Sequence, residues 1–257
     1  MKKLRHGTGP DYSWLQQFDV DGPFLSLPVA KGFWPSGIDR LGDADDRLVT
    51  FKQGFTAWLR AYDQQSLDKR DQYAQIARAW VDTVLDELAG WADLRIGADE
   101  LPAEFETHSP GEQVRIRADG ALRGRESGEV AALLRVVPPT EDLRGPGLDG
   151  WAATEIDRMA ALLRQSGVPI GLVTDGRWWA IVWAKEGATT GSGIVDAVTW
   201  GEEPLLVDQR QERIAQQRLR AKNPEHRLDR LLQRSELEAE EITEALGTQV
   251  RKSVELL

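Results

Sequence analysis

Apolar residues recur at helical spacing twice in the first hundred positions. Between 47 and 63 they fall at Leu48, Phe51, Phe55, Trp58 and Leu59, among charged neighbours. Between 71 and 92 they fall at Tyr73, Ile76, Ala77, Trp80, Val84, Leu85 and Leu88. That spacing predicts two amphipathic helices, and the polar link from Asp63 to Arg70 predicts that they pack as a pair. The period then changes. Residues 114–119 alternate Val, Arg, Ile, Arg, Ala, Asp, which predicts a strand with one covered face. Residues 130–137 are apolar apart from Arg135, as in a central strand buried on both faces. Pro138 and Pro139 end it, since neither can donate a ladder hydrogen bond.

A Gly/Pro loop at 140–149 precedes a helix predicted from about 151 to 165. Ile156, Met159, Ala160 and Leu163 share its apolar face, and Gly167 stands near its end. The clearest hairpin joins 170–173 to 177–183 through Thr174-Asp175-Gly176, because Asp-Gly tolerates positive φ. A further strand is expected over 193–200. The order helix, strand, strand, helix, strand, strand predicts an α/β sandwich. From 209 onward Glu, Gln, Arg and Leu dominate and the period is helical. Asn223-Pro224 interrupts this run, since a residue before proline avoids the α region. Helices are expected at about 207–221 and 225–234. Ser235 then reads as an N-cap with Glu238 as its capping-box partner, opening a third helix through Ile242, Leu246, Val250 and Val254. The pattern reaches residue 257 without a C-cap signal, which predicts continuation into a larger polypeptide.

Residues 1–50 are punctuated by Pro10, Gly22, Pro23, Pro28, Gly32, Pro35 and Gly37. Between these lie Trp14, Phe18, Phe24, Leu25, Leu27, Val29, Phe33, Trp34 and Ile38, too many large apolar groups for a disordered tail. They predict an arm lying against the body or a partner, with one short strand near 24–29. The resulting division is an N-terminal arm (1–50), an α/β domain (51–206) and a C-terminal helical connector (207–257).

Composition narrows the function classes. The 257 residues are 41% hydrophobic and 29% charged, enough for one large domain or a domain with extensions. No apolar run approaches the roughly 20 residues of a membrane helix, so no membrane partner is expected. The basic start lacks the apolar segment of a secretory signal, and cytoplasm is the expected location. Cysteine is absent, which excludes disulfides and thiolate metal sites. The net charge of -10 argues against a free-standing DNA binder while leaving room for a local basic face. Ten tryptophans predict a core rich in indole or an interface.

Three segments carry a resemblance. Asp21-Gly22-Pro23-Phe24-Leu25-Ser26-Leu27-Pro28-Val29, followed by Phe33-Trp34-Pro35-Ser36-Gly37-Ile38-Asp39, resembles the opening of large bacterial restriction–modification and phage-defence polypeptides. These include type IIG, BREX-like and DISARM-like systems and carry an adenine-specific DNA methylase further along. The hairpin from Pro169 through Gly171-Leu172-Val173-Thr174-Asp175-Gly176 to Trp179 resembles one that recurs in them, and the helical run from Ile242 to Leu257 resembles their lead into the methylase. The resemblance implies a restriction-endonuclease-like mixed sheet flanked by helices. It also implies DNA, the methylase region or other defence subunits as partners. No methylase motif lies in this chain: Val137-Pro138-Pro139-Thr140 lacks both the polar group and the aromatic platform for a flipped base.

A nuclease of the PD-(D/E)xK kind holds Mg²⁺ with two carboxylates and sets a lysine beside the attacking water. Asp119 stands at the first carboxylate position, and it also reads as a plain turn aspartate before Gly120. Asp82, Asp86 and Glu87 on the preceding helix, and Glu126 and Glu129, are the other nearby acids. Asp82 and Asp86 share one helical face, turned to a site or to water. Where acid-x-lysine is due, the chain has Arg135-Val136-Val137. The expected chemistry is therefore a degenerate nuclease, with no cofactor, or Mg²⁺ if an active site persists through a displaced glutamate. Arg115, Arg117, Arg123, Arg125 and Arg135 form the local basic group for DNA beside it. The later series Arg210, Arg213, Arg218, Arg220, Arg227, Arg230 and Arg234 reads as a solvated helix surface or as a second phosphate face. His6, His108 and His226 are too dispersed for a metal site, and no glycine-rich phosphate loop is present. Three functions stay open: a non-cleaving module that engages DNA or docks a subunit, an active Mg²⁺-dependent endonuclease, and a protein-interaction scaffold.

Overall fold

A computed structural model describes residues 10, 12–37, 44–65, 70–201 and 216–255. Its centre is a seven-stranded mixed sheet of order β1-β9-β8-β7-β6-β5-β2. The strands are β1 (Asp19–Asp21), β2 (Arg95–Gly97), β5 (Gly120–Arg123), β6 (Val130–Val136), β7 (Ile170–Thr174), β8 (Trp178–Trp183) and β9 (Gly191–Asp196). β3 (Glu106–His108) and β4 (Arg115–Arg117) form a separate antiparallel pair. Only β6 and β7 run parallel, joined through helix α4 (Glu155–Ser166).

The period of two assigns each strand residue to a layer. Ala132, Leu134, Leu172, Trp179, Ile181 and Trp183 face a large core shared with α1 (Leu27–Phe33), α2 (Ala44–Asp63) and α3 (Arg70–Asp82). Leu133, Val173, Ala180 and Val182 face the other way, onto α4, against which the β3–β4 pair also packs. The sheet is thus covered on both sides, as the apolar run 130–137 requires. Most of the indole is structural: Trp58 stacks on Trp80 at 5.8 Å, and Trp80 and Trp179 both donate to the Gly176 carbonyl, at 3.0 and 3.2 Å.

Several expected boundaries move. The helix 71–92 ends as α-helix at Asp82 and continues as a π-helical turn, Thr83–Leu88. Residues 114–119 are not one strand: β4 stops at Arg117, and β5 starts at Gly120 in the other sheet. Gly120 is needed there, because a Cβ would lie 2.9 Å from the Ile96 carbonyl oxygen. The short strand expected near 24–29 is helix α1, capped by Ser26, whose Oγ accepts from Val29 N at 3.3 Å. The arm's strand lies earlier, as edge strand β1 on β9. The helix at 151–165 starts only at Glu155, where Thr154 and Asp157 form a capping box, and Gly167 closes it in the left-handed conformation (φ 74). The strand 193–200 gives way after Asp196 to a 3-10 turn, Ala197–Gly201, because Asp196 Oδ1 takes the Val198 N–H.

The C-terminal region also differs. Helix α5 spans Gln216–Leu219, and the rest of the helix expected at 207–221 lies outside the described residues apart from 220 and 221. The two helices expected from 225 are a single helix α6, Leu228–Glu255, preceded by a 3-10 turn, Pro224–His226. Ser235 is an interior residue, not a cap. Its Oγ donates to the Leu231 carbonyl at 3.1 Å and accepts from Ser26 N at 3.3 Å. A distant partner on the arm thus overrides the local capping signature. Glu238 takes the Ser26 hydroxyl, and Trp183 Nε1 donates to Glu236 Oε2 at 3.1 Å. The arm and the first half of α6 are therefore joined on one face of the sheet. No helix among the described residues is long and apolar enough to cross a membrane.

Candidate functional site

In sheets with parallel strands, sites collect beyond the strands' carboxyl ends. Here that edge is where β6 and β7 finish side by side, with Val136 opposite Thr174. The candidate acids and arginines converge on it only in part.

Asp119 lies between β4 and β5, exposed, beside the end of β6. Its backbone N–H donates to Leu134 O at 2.9 Å, and its Oδ2 accepts from Val136 N at 2.9 Å. One carboxylate oxygen thus caps a ladder position that the strand leaves open. Arg135 points to the α4 side of the sheet. Its guanidinium meets Glu155 Oε2 at 3.0 Å, with the arginine side chain only 11% exposed. Val137 is buried, and its N–H donates to Thr174 O at 2.8 Å.

Asp175 is the most enclosed acid at this edge, 3% exposed. Its Oδ1 accepts from Arg177 N and Trp178 N at 2.9 and 2.8 Å, and its Oδ2 accepts from Thr140 N at 3.0 Å. Burial raises its pKa above the usual carboxylate value, against the pull of those three N–H groups. Asp-Gly therefore does more than turn the hairpin, since it anchors the loop that leaves β6. Gly176 has φ +94, and a Cβ there would lie 3.2 Å from Ala77 Cβ on α3. Next to it, the Arg177 guanidinium is ion-paired with Asp196 at 2.8 Å, donates to the Tyr62 hydroxyl and stacks 4.3 Å over Trp178. Burial pushes the neighbouring Tyr73 hydroxyl up to about 12, with Asp175 adding to the rise.

The remaining candidates lie elsewhere. Arg95 donates to both Asp82 and Asp86 at 2.8 Å, so these two carboxylates hold β2 against the end of α3 and the π-helical turn that follows it. Glu87 is exposed. Glu129 reaches Arg227 at 3.2 Å and accepts from Glu126 N at 2.8 Å. Arg115 pairs with Glu106, Arg123 lies 3.7 Å from Glu100, and Arg117 donates to the Leu101 carbonyl at 2.7 Å. Arg125 is exposed. In the later series, Arg218 is buried over Phe33 and Trp34, Arg220 donates to Gly124 O at 3.0 Å, and Arg234 pairs with Glu225. Arg210, Arg213 and His6 lie outside the described residues. Among the described residues no three His, Cys, Asp or Glu side chains are grouped to hold a metal.

Sequence reasoning missed Tyr62, Tyr73, Thr140, Glu155, Arg158 and Asp196. Asp196 reaches Arg177 only through the β8–β9 register that sets it opposite Trp178, which no local pattern announces. Arg158 is buried on α4, donates to Asp149 and to the carbonyls of Trp151 and Ala153, and so fixes the loop before the helix. Comparison with protein families, curated proteins and solved structures returns no match.

Proposed function

We propose that this chain is a non-cleaving module of a bacterial restriction–modification or phage-defence methylase system, acting by engaging DNA or docking a partner subunit. The reading is supported by the run β2, β5, β6, α4, β7, three antiparallel strands followed by a helix and a parallel strand. A mixed sheet flanked by helices is what the resemblance implies, although the sequence pattern put two strands, not three, before that helix. The observation that carries the loss of cleavage is the state of the cation positions. Asp119 caps Val136, Arg135 is locked on Glu155, and Val137 fills the place due to the lysine. A guanidinium cannot ligate Mg²⁺, which takes oxygen donors, so these residues do not fit the metal that the resemblance implies.

The test is a cleavage assay on duplex DNA with Mg²⁺ or Mn²⁺, comparing the chain with Asp119→Ala. No cleavage by either protein is expected. Robust cleavage abolished by the substitution would overturn the reading. A DNA titration at two salt concentrations then separates the two modes of action, because phosphate binding weakens steeply with salt and docking to a protein subunit involves no DNA affinity.

A further inference from the structure

The C-terminal region reverses the charge of the chain over a short stretch. The net charge is -10, yet residues 216–234 hold six arginines and lysines against only Glu225 and Asp229, and acids return at once in residues 236–244. The fold lays this basic stretch against the turn between β5 and β6, which carries Arg123 and Arg125. Arg220 Nε donates to the Gly124 carbonyl at 3.0 Å, Arg227 Nε donates to the Ala221 carbonyl at 2.9 Å, and Arg227 Nη1 meets Glu129 Oε1 at 3.2 Å. Two basic segments far apart in sequence thus form one face at the amino end of β6, away from the edge that holds Asp119.

The partners of these cations decide how much charge is left for a ligand. Arg227 is neutralised by Glu129 and Arg234 by Glu225, and Arg218 is buried over Phe33 and Trp34. The rest keep their charge. Arg220 is held by a backbone carbonyl, and Arg230, about one turn beyond Arg227, by the neutral Gln233 side chain at 2.8 Å. Such acceptors orient a guanidinium without cancelling it. Lys222 and Arg125 are exposed with no ion pair among the described residues, and Arg123 lies 3.7 Å from the exposed Glu100. Glu126 and Asp229 are the acids left among these five cations. The face also has no apolar anchor: the large exposed apolar side chains among the described residues all lie outside 120–130 and 216–234. A protein interface centres on such anchors and a membrane-surface helix needs an apolar face, whereas a phosphate backbone needs only cations. Neither segment contains Phe, Trp or Tyr, the rings on which the bases of a single strand would stack.

We propose that this face binds the phosphate backbone of duplex DNA through Arg123, Arg125, Arg220, Lys222 and Arg230. The assignment rests on the reading of the chain as a DNA-engaging module and gives that module its contact surface. Fluorescence anisotropy with a labelled duplex of random sequence tests it. Five phosphate contacts give a logarithmic salt slope of about -4.5, so affinity should fall about 500-fold between about 50 and 200 mM salt. Substituting Arg125→Gln, Lys222→Gln and Arg230→Gln together leaves two contacts, and the slope should drop to about -2 and the loss to about tenfold. Circular dichroism and the melting temperature should not change, since all three side chains are exposed. Arg125→Lys with Arg230→Lys keeps the charge and should keep the slope, and Arg115→Gln, on the separate β3–β4 pair, should leave it unaltered. A single strand of the same length should bind more weakly than the duplex. A steep slope that survives the triple substitution would overturn the proposal while leaving DNA engagement in place at another face. No DNA affinity at any salt concentration would overturn it and leave subunit docking as the work of the module. Tighter binding of the single strand would overturn the assignment to duplex DNA.

Discussion

Asp175→Ala removes the acceptor for three backbone N–H groups, those of Thr140, Arg177 and Trp178. An enclosed donor left without a partner costs about 1–3 kcal/mol. These three are only part-buried, so water recovers some of the loss, and removing an enclosed charge returns some more. The expected net destabilisation is about 3 kcal/mol. With a urea slope of about 3 kcal/mol per molar, the midpoint of unfolding should fall by about 1 M. Asp175→Asn keeps an oxygen for Arg177 and Trp178 but turns an amide N–H toward Thr140 N–H, for a cost of about 1–2 kcal/mol. The pH dependence is the sharper test. The folded pKa of Asp175 lies above its unfolded value, so the folded state holds the proton more tightly. Its stability contribution is fully present below the unfolded pKa and is lost as pH rises through the folded one. The stability gap between wild type and Asp175→Asn should therefore widen on acidification from neutral pH toward about 4. A gap that narrows would show that the three N–H groups outweigh burial, and an alanine variant within 0.5 M of the wild-type midpoint (about half the expected shift) would show that the loop is held by something else.

Two further substitutions probe how the arm and the helix-entry loop are held. Gly191→Ala would place a Cβ 1.9 Å from the Pro23 carbonyl oxygen, so β1 cannot keep its register on β9. A loss of about 3 kcal/mol or more is expected, with limited proteolysis cutting first within residues 19–37, and unchanged protease resistance would count against that pairing. Arg158→Ala leaves Asp149 and two carbonyls without their donor. Because Asp149 is half exposed, about 2–4 kcal/mol is expected, less than for a fully buried pair. Arg158→Lys should recover only part of it, since an ammonium lacks the planar fork, and full recovery in thermal melts would reduce the role to charge alone.

What the sequence made legible follows the range of the forces involved. The hairpin at Asp175-Gly176, the strand 130–136 and the amphipathic helices α2, α3 and α4 rest on local periodicity and turn chemistry, and they form close to where the pattern puts them. The failures share a different cause. Ser235 has the local signature of a cap, yet its hydroxyl serves Leu231 and the arm at Ser26, more than two hundred residues away in sequence. Residues 114–119 alternate like one strand, but Gly120 must pass close over Ile96 in a strand that local sequence does not identify as its partner. The candidate site shows the same division. Asp119 and Arg135 stand out by position along the chain, whereas Glu155, which fixes the role of Arg135, comes from the far side of a twenty-residue connection.

That pairing separates five arginines that look equivalent along the chain. Arg135 is almost enclosed with Glu155, and pulling it toward a phosphate would leave a partly buried carboxylate without its counterion, a costly state. Arg117 is tied to a carbonyl that water would have to satisfy in its place. Arg115 is exposed itself but pairs with Glu106, which is only 14% exposed, so it is held as Arg135 is. Arg123, 48% exposed, lies beside the exposed Glu100, and such a pair is worth about 0–1 kcal/mol, little enough for a phosphate to displace. Arg125 is exposed beside Arg123. A DNA contact through this group is therefore limited to Arg123 and Arg125, and counterion release gives a slope of about -0.9 per phosphate contacted. A logarithmic salt dependence of about -2 fits DNA engagement through these two alone. A steeper one would have to draw on the later arginines of the C-terminal region, and a flat one leaves docking to protein as the work of the fold.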